Sequence, residues 1–433
     1  MKSFFRKIIP SKIICVYHYF QALFAAAVFD FPSKQMIVIG VTGTKGKTSS
    51  INYIWSVLNS GRIKTGIITT ANVKIGEREI LNPFHMTMPG GFNIQRFLRE
   101  MQREQCEVAI VETTSQGILQ YRHVGIDYDV AVFTNLTPEH IDAHKTFDHY
   151  KETKGELFKA LSKSKRKTFH GKKFLKTIIA NADSENAGFF TNFKADEKLE
   201  FSIERESKNR ATNLNANLHG ATFDFKSEHY ELSIPGAFNI YNALPAILIG
   251  QEFGINAESI KLGLANLKII PGRMEEINKG QSFRVFVDYA HEKQSMTGVM
   301  EAAKYLKKEG GKIIVLLGAE GGGRDKVKRA IMGEIVGRLA DIVVVSNVDP
   351  YEDDPTPIVE DIARAAETAG KKRGENLFVI EDRREGIAKC LAVACEGDVV
   401  IITGKGAEQS MIIGGKSIPW DDRTVVREEL RKL

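Results

Sequence analysis

The sequence predicts an α/β protein of two domains, preceded by a short helical segment. Short, continuous apolar runs recur along the chain, and most are followed by a segment with helical spacing of apolar residues. Such runs form strands that are buried on both faces, which is typical of parallel sheets. The length of 433 residues exceeds what one core usually holds, which indicates more than one domain.

Composition places the chain among ordinary globular proteins. Hydrophobic residues make up 43% and charged residues 26%, which indicates neither disorder nor a bundle of membrane helices. The net charge of +6 is mild and no basic run is interleaved with aromatic residues, so we expect no nucleic-acid partner. Four scattered cysteines include no Cys-x-x-Cys pair, which argues against a zinc ribbon or a disulfide framework and favours a cytoplasmic location.

Residues 1–34 are predicted to form a separate helical segment. Four basic residues precede an apolar stretch at residues 13–31, which Pro10 and Pro32 bracket. A bilayer span needs about 20 mostly apolar residues, and His18, Gln21 and Asp30 interrupt this stretch. We expect a helix packed on the protein, with an interfacial membrane helix as the first alternative and a span or signal peptide as the second.

Residues 35–269 are predicted to form a central domain with a mostly parallel sheet and helices on both faces. The predicted strands are residues 36–41, 65–70, 108–111 and 130–133. Residues 49–60 and 94–105 between them have helical spacing, and strands that alternate with helices indicate βαβ units. Residues 213–234 alternate with a period of two, which predicts a small antiparallel sheet, and a helix is expected around 239–253.

A Rossmann-like α/β domain is predicted for residues 270–433. The predicted strands are residues 283–287, 312–317, 342–345, 377–380 and 399–403. Each is followed by a helical pattern or a glycine-rich turn. The boundary is placed at residues 269–273, where Pro271 and Gly272 punctuate the chain.

The strongest local signal is a glycine-rich loop between the first predicted strand and a helical segment. Its sequence is Gly43-Thr44-Lys45-Gly46-Lys47-Thr48. Glycines let backbone N–H groups approach phosphate oxygens, and the helix N-terminus adds partial positive charge. Lys47 is expected to reach the outer phosphates and Thr48 to ligate Mg²⁺. Val41 stands where the usual spacing has glycine, so the loop is a shortened variant; the alternative is a turn that binds no ligand.

Further polar residues follow predicted strands. Glu112 ends the run at 108–111, and ligands collect at the carboxyl ends of parallel strands, so Glu112 is a candidate Mg²⁺ ligand. The alternative is an ordinary surface carboxylate. His140 and His144 are four residues apart and could share a helical face to bind zinc. No third soft ligand is near them in the sequence, and we favour separate roles.

The order of the motifs along the chain resembles the Mur ligases, a family of ATP-dependent ligases. The motifs are residues 43–48, Glu112-Thr-Thr-Ser115, Asn135 with His140, Asp142 and His144, and residues 150–154, 236–243, 271–275, 287–291, 318–329 and 404–408. The resemblance covers residues 35–433, and such a run of motifs is highly specific. Within the family, the chain is most similar to the tripeptide synthetases, which add the third, diamino acid residue of the peptide.

The resemblance implies ATP and Mg²⁺ as cofactors and assigns residues to them. Residues implied to contact ATP are Gly43, Thr44, Lys45, Gly46, Lys47, Thr48, Asn242, Arg273, Asp288 and His291. Residues implied to hold magnesium are Thr48, Glu112, His140 and Lys154, and those implied to be catalytic are Lys47, Glu112, His140 and Lys154. Lys154 matches a lysine that is carbamylated in the family. Chemistry supports this match, because a carbamate brings an anion to a magnesium site where an amine would bring a cation.

The resemblance also assigns residues to the substrates. Those implied to hold the nucleotide-linked peptide acceptor are Thr87, Thr114, Ser115 and Arg122. Those implied to lie near the incoming amino acid are Arg324, Asp325, Asp349, Gly404 and Glu408. Each residue taken alone is more often structural, and their joint occurrence carries the assignment.

Three departures from the family pattern are evident. Tripeptide synthetases carry an N-terminal domain that binds uridine diphosphate, whereas only about 35 residues precede the first predicted strand here, so we expect uridine recognition to be lost. The segment Asp-Asn-Pro-Arg, typical of diaminopimelate recognition, reads Val348-Asp349-Pro350-Tyr351, which makes lysine or another amino acid plausible. Gln116 and Ala407 replace histidines that are usual in two further motifs.

The expected function is ATP-dependent addition of a diamino acid to a muramyl-peptide carboxylate through an acyl phosphate, by a monomeric enzyme of peptidoglycan synthesis. One alternative is the Mur-like subunit that amidates lipid-linked peptidoglycan, although its usual four-cysteine zinc insertion is missing. A second is a ligase of the folylpolyglutamate or cyanophycin type. A third, from another class, is a P-loop ATPase or binding module without ligase activity.

Overall fold

The computed structural model describes residues 11–84, 86–138, 144–217, 219–323 and 326–433. Two large sheets organise them, one of eight strands and one of six. Both are mostly parallel and lie one after the other along the chain. The predicted α/β fold class is therefore confirmed.

The N-terminal segment is a helix, α1 (Ser11–Val28), followed by a 3-10 turn (Pro32–Gln35). Its small residues Ala22, Ala25 and Ala26 are buried against the body of the protein. The prediction of a helix packed on the protein is thus confirmed. Among the described residues, no helix combines the length and the apolar content that a bilayer crossing requires.

The first sheet gathers eight of the first ten strands. These are β1 (Ile37–Thr42), β2 (Thr65–Ile68), β3 (Asn72–Ile75), β4 (Arg78–Leu81), β5 (Val108–Glu112), β6 (Val130–Phe133), β7 (Thr168–Phe169), β8 (Lys172–Lys173), β9 (Thr177–Asn181) and β10 (Glu197–Phe201). Strands β7 and β8 pair as a separate hairpin, and the others follow the order β10-β9-β6-β1-β5-β2-β3-β4. All neighbours are parallel from β10 to β2, whereas β3 and β4 are antiparallel additions at one edge.

Helices connect these strands, and a small sheet follows. The helices are α2 (Lys47–Ser60), α3 (Gly91–Arg103), α4 (Ser115–Leu119), α5 (Phe147–Lys163) and α6 (Ala187–Thr191). The antiparallel sheet contains β11 (Ala211–Asn217), β12 (Gly220–Phe225) and β13 (Glu228–Leu232), and the helices α7 (Phe238–Glu252) and α8 (Ala257–Asn266) come next.

Helices cover both faces of the first sheet because side chains alternate along each strand. In β1, Ile37, Ile39 and Val41 share a core with residues of α2 and α7. Val38, between them, joins the opposite core with residues of α3 and α5. Every residue of β1 is buried, as a continuous apolar run predicts for a central parallel strand.

The second sheet has the order β14-β15-β19-β16-β17-β18. Its strands are β14 (Glu275–Glu276), β15 (Arg284–Asp288), β16 (Ile313–Leu317), β17 (Ile342–Val345), β18 (Leu377–Val379) and β19 (Val399–Thr403), and a hairpin follows with β20 (Ser410–Ile413) and β21 (Lys416–Pro419). Strand β14 is antiparallel and the other five are parallel. The helices are α9 (Lys293–Leu306), α10 (Lys326–Leu339), α11 (Pro355–Thr368), α12 (Arg383–Ala392) and α13 (Asp422–Leu430).

Candidate active site

A cleft of about 1270 Å³ lies between the two sheets and takes its walls from both. The polar residues after β1, β5, β6 and β15 line it, as expected where the carboxyl ends of parallel strands meet. The predicted site residues that line it are Gly43, Thr44, Lys45, Gly46, Lys47, Thr48, Thr87, Glu112, Thr114, Ser115, Arg122, Lys154, Asn242, Arg273, Asp288, His291 and Glu408. The structure therefore brings most of the predicted site into one cleft.

The glycine-rich loop has two positions that exclude any side chain. Gly43 and Gly46 have φ angles of 149° and 79°. A Cβ atom on Gly43 would lie 2.0 Å from Thr134 Oγ1, and one on Gly46 would lie 2.2 Å from Asn242 Oδ1. Backbone conformation and close neighbours thus both require glycine there.

Strand β6 delivers the residues that hold this loop in shape. Thr134 Oγ1 donates to the Lys45 carbonyl at 2.6 Å, and Asn135 Oδ1 accepts from the Lys45 N–H at 2.9 Å. The Thr44 N–H donates to the Asn135 carbonyl at 2.9 Å. The loop backbone is therefore fixed by its neighbour strand and presents a rigid surface to the cleft.

Lys47 is the first residue of α2, and its side chain curls back over the loop. Its ammonium donates to the carbonyl oxygens of Gly43 at 3.1 Å and Thr44 at 2.9 Å. Helix α2 begins at this point with no side-chain cap among the described residues. A helix N-terminus carries partial positive charge, so a phosphate is suited to that position.

Thr48 and Glu112 form the group best suited to a divalent cation. Thr48 Oγ1 donates to Glu112 Oε2 at 2.8 Å, and both side chains are buried. Thr70 orients the same carboxylate, because its N–H donates to Oε2 at 2.8 Å and its hydroxyl to Oε1 at 3.1 Å. Hydroxyl and carboxylate oxygens are the ligands that Mg²⁺ prefers.

The predicted histidine pair is described only in part. His140 and Asp142 lie outside the described residues. His144 is buried, and its Nε2 lies 3.1 Å from Ser115 Oγ. Burial, together with the charges of His149 and Lys154, lowers the pKa of His144 from 6.5 to about 4. His144 is therefore neutral at pH 7. Within the described ranges, no group of three or more histidine, cysteine, aspartate or glutamate residues is arranged to hold a metal.

Lys154 lies under the phosphate loop. It is only 2% exposed, and its Nζ donates to the Gly43 carbonyl at 2.8 Å. The same nitrogen lies 4.6 Å from the centre of the Tyr150 ring. The Tyr150 hydroxyl lies 3.3 Å from Thr44 Oγ1, so helix α5 supports the loop through two side chains.

The second domain contributes a cation and a buried carboxylate. Arg273 Nη2 donates to Thr48 Oγ1 at 3.2 Å, and its guanidinium lies 4.3 Å from the centre of the Tyr289 ring. Asp288 accepts from the N–H groups of Met274 and Ala290, both at 2.7 Å. Burial raises the pKa of Asp288, and the charge of Arg273 opposes that rise.

Residues expected to contact the acceptor lie along the edge of the cleft near α4. Thr70 Oγ1 lies 2.9 Å from Thr87 Oγ1, within hydrogen-bond distance. Thr114 caps α4 by accepting from the Gly117 N–H at 3.1 Å. Arg122 donates to the Met88 carbonyl, which turns its guanidinium toward the same edge.

Of the residues expected near the incoming amino acid, Glu408 lines the cleft and Asp349 does not. Asp349 is fully buried and accepts from Lys405 Nζ and from the Ile412 N–H, both at 2.7 Å. Glu408 accepts from the same ammonium at 2.6 Å and from the Tyr289 hydroxyl at 3.0 Å. Gly404 also lies away from the lining. Arg324 and Asp325 are outside the described residues.

The sequence did not single out Asp183, which follows β9 and lines the cleft. Its carboxylate accepts from the N–H groups of Ile203, Glu204 and Arg205 and from the Tyr241 hydroxyl. The signal that identified Glu112, a carboxylate just after a buried strand, was present here too. It was missed because β9 was not predicted.

Comparisons with known proteins give a consistent result. Residues 41–250 match the Mur ligase middle domain, and residues 272–406 match the Mur ligase glutamate ligase domain. The chain is 34% identical to UDP-N-acetylmuramoyl-L-alanyl-D-glutamate–2,6-diaminopimelate ligase 1 of Clostridium acetobutylicum, over 95% of this chain and 82% of that protein. It is also 34% identical to UDP-N-acetylmuramyl-tripeptide synthetase of Roseiflexus sp., over 94% and 81%.

Solved structures agree at the level of the fold. A UDP-N-acetylmuramoyl-L-alanyl-D-glutamate–2,6-diaminopimelate ligase superimposes with a TM-score of 0.60 at 28% identity, covering 92% of this chain and 79% of that one. Folylpolyglutamate synthase of Mycobacterium tuberculosis superimposes with a TM-score of 0.68 at 17% identity, covering 89% and 92%. The second likeness shows the fold alone.

Proposed function

The chain belongs to the Mur ligase family of ATP-dependent, amide-forming enzymes, and we propose that it adds a diamino acid to a muramyl-peptide carboxylate in peptidoglycan synthesis. The observation that carries the proposal is the double contact of Thr48, with Glu112 at 2.8 Å and with Arg273 at 3.2 Å. Through these two contacts the phosphate loop, the candidate metal ligand and a cation of the second domain form one site.

The residues present fit a nucleotide and Mg²⁺. The N-terminus of α2 and the Lys47 ammonium would hold the phosphates, while Thr48 and Glu112 would hold the ion. When bound, the ion neutralises charge on the phosphoryl oxygens. We propose that Asn242, Arg273, Asp288 and His291, which line the same cleft, also contact the nucleotide.

The reaction follows from the chemistry of a carboxylate, which is a poor electrophile until one oxygen becomes part of a good leaving group. One carboxylate oxygen of the acceptor attacks the γ-phosphorus of ATP, the bond to ADP breaks, and an acyl phosphate forms. The amine then attacks the acyl carbon, phosphate leaves and the amine loses a proton. Lys47 stabilises the charge on the transferred group, and the walls of both domains exclude water that would hydrolyse the intermediate.

We propose that Lys154 is carbamylated in the active enzyme. A neutral amine adds to carbon dioxide, the new N–C bond forms with loss of one proton, and the side chain becomes an anion. The support is the position of Lys154, which is buried and within 2.8 Å of the phosphate loop. An anion there would complement a magnesium ion held by Thr48 and Glu112, with His140 as a further proposed ligand.

We assign the acceptor to the edge with Thr87, Thr114, Ser115 and Arg122, and the amino acid to the part of the cleft that Glu408 lines. Arg324, Asp325, Asp349 and Gly404 remain proposed contributors near the amino acid. Tyr351 lines this part of the cleft where diaminopimelate-specific relatives are expected to carry arginine. The tyrosine ring carries no positive charge that would bind the distal carboxylate of diaminopimelate. We therefore propose lysine and diaminopimelate as equal candidates for the incoming amino acid.

We further propose a monomer that works in the cytoplasm, where ATP is supplied. The domain limits 1–34, 35–269 and 270–433 remain proposals. A lipid-linked acceptor is the alternative that a specific observation favours. Helix α1 exposes large apolar side chains, and its Tyr19 contacts Tyr121, the neighbour of the cleft residue Arg122.

The test is a phosphate-release assay with UDP-linked and lipid-linked muramyl dipeptides, each combined with diaminopimelate, lysine or no amino acid. We expect phosphate release to require both an acceptor and an amino acid, and to be lost in Lys47→Ala. ATP hydrolysis at the same rate with and without the acceptor and the amino acid would show that the protein is an ATPase and not a ligase. Phosphate release with folate or a cyanophycin primer in place of the muramyl acceptor would show that the chain is a ligase of the folylpolyglutamate or cyanophycin type.

A further inference from the structure

Helix α1 packs on the protein with its smallest residues. Ala22, Ala25 and Ala26 are at most 3% exposed. Gly125 lies against them, and a Cβ atom on it would be 2.6 Å from Ala26 Cβ. The contact is therefore close and shallow, and it leaves the bulk of the helix outside the core.

The opposite face of α1 carries its large apolar residues. Those exposed by more than half are Ile13, Val16, Tyr17, Phe20, Phe24 and Val28, with fractions between 54% and 64%. Positions separated by three or four residues lie on one side of a helix, so these side chains form one stripe. Phe92, which is 38% exposed and in edge contact with Phe24, extends the stripe onto α3.

Such a surface is costly in water. A typical soluble protein exposes single apolar residues, whereas contiguous apolar surface marks a site of contact with a protein or a membrane. Residues 13–28 contain no Asp, Glu, Lys or Arg, so no charge interrupts the stripe. The stripe therefore needs an apolar partner.

Charge identifies the partner. The first 29 residues contain four basic residues and no acidic one. Anionic lipid headgroups would attract a segment with this net positive charge, whereas a second copy of the chain would carry the same charge and repel it. Tyrosine and phenylalanine on the stripe suit the boundary between headgroups and acyl chains.

We propose that α1 lies flat on an anionic lipid bilayer and docks the protein there through this stripe. The helix also fixes the orientation of the bound protein. The Tyr19 ring contacts the ring of Tyr121 at 5.7 Å, and Arg122, the next residue, lines the cleft. Docking therefore holds the edge with Arg122 close to the bilayer. The importance of this orientation rests on the proposed function, which assigns Arg122 to the acceptor.

The test is co-sedimentation of the full chain with vesicles of phosphatidylcholine alone or with added phosphatidylglycerol. We expect binding to the anionic vesicles only, weakening as salt rises. Phe20→Gln with Phe24→Gln should weaken binding by about tenfold or more, because both side chains insert in the bilayer. The matched control is Leu262→Gln with Ile269→Gln, two residues that are 55% and 59% exposed elsewhere, and it should bind like the unaltered protein.

A second measurement keeps the outcomes separate. Thermal unfolding and nucleotide binding should be the same in the double phenylalanine variant and the unaltered protein, because neither side chain is in the cleft. Equal vesicle binding by both proteins, or no binding by either, overturns the proposal. A dimer in analytical ultracentrifugation that Phe20→Gln with Phe24→Gln converts to a monomer also overturns it, because a second copy then covers the stripe. Failure of ligation with intact vesicle binding would remove only the proposed function.

Discussion

Arg273 and Thr48 hydrogen-bond across the cleft, with Arg273 Nη2 donating to Thr48 Oγ1 at 3.2 Å. The bond joins the second domain to the phosphate loop of the first. The Tyr289 ring lies 4.3 Å from the guanidinium and fixes its plane.

We expect Arg273→Ala to lower kcat/KM for ATP by about tenfold or more, because a hydrogen bond to a charged group contributes about 1.5–3 kcal/mol. Steady-state phosphate release against ATP concentration measures this. The control is Arg373→Ala, an exposed arginine whose partners are Glu360 and Glu367. Equal losses in the two variants would contradict a specific role for Arg273.

Replacement of Lys47 by alanine should reduce ligation by about a hundredfold or more, since a cation at the transferred phosphoryl group acts mainly in the transition state. The comparison is Lys159→Ala on the exposed side of α5, where the ammonium pairs only with Glu156 among the described residues. Ligation at the normal rate in Lys47→Ala would remove the phosphate-loop assignment.

Glu112→Gln should raise the Mg²⁺ concentration needed for half-maximal activity by about tenfold or more, because a neutral amide is a weak magnesium ligand. The amide oxygen can still accept from Thr70, so the fold should be kept. A magnesium titration of phosphate release measures the change. Glu107→Gln, just before the same strand, is the matched control and should leave the titration unaltered.

Lys154→Ala should be inactive, and a small carboxylate such as formate should restore part of the activity by replacing the carbamate. The control is Lys151→Ala, one turn earlier on α5, which should keep full activity and should not respond to added formate. Mass spectrometry of the native protein under carbon dioxide offers a direct measurement of the added group. Full activity of Lys154→Ala without formate would exclude the carbamate.

Stability should depend on pH through His123. Burial lowers its pKa from 6.5 to about 4, and its Nδ1 has no hydrogen-bond partner among the described residues. As the pH falls from 6.5 towards 4, the unfolded chain takes up a proton that the folded state resists, so the free energy of unfolding decreases. The full loss from this group is about 3 kcal/mol.

Urea unfolding of His123→Gln at a series of pH values tests this. The variant should lose less stability than the unaltered protein over the same pH interval, whatever its stability at neutral pH. His219→Gln, at an exposed position, should keep the original slope. Parallel curves for all three proteins would show that His123 does not titrate as expected.

Sequence patterns predicted β1, β2, β5 and β6, because residues such as Val38 and Val132 lie in continuous apolar runs, which are typical of buried strands. The same patterns missed β9, although all of its residues are buried. They failed at β10, where exposed or half-buried charges alternate with Leu199 and Phe201 at the sheet edge. A strand of that kind is specified by pairing with β9 rather than by its own composition.

The site was predictable where its residues directly follow neighbouring parallel strands. Thr48 and Glu112 were expected near each other because β1 and β5 end at the same edge of the sheet, and their side chains are in contact. Asp349 was expected near the amino acid, yet it lies buried against Lys405. Which of two neighbouring carboxylates reaches the cleft depends on the packing of the hairpin β20–β21, which spacing alone does not encode.

The dependence of Gly46 on Asn242 has a consequence for synthesis of the protein. The amide of Asn242 fills the space beside Gly46, but it is translated only in the second half of the chain. The backbone groups of β1 likewise find their hydrogen-bond partners only when β5 and β6 have been made. Pairings between segments that are far apart in the sequence form slowly, and the intermediates that precede them are prone to aggregate. The phosphate loop therefore reaches its final packing only after α7 has been made.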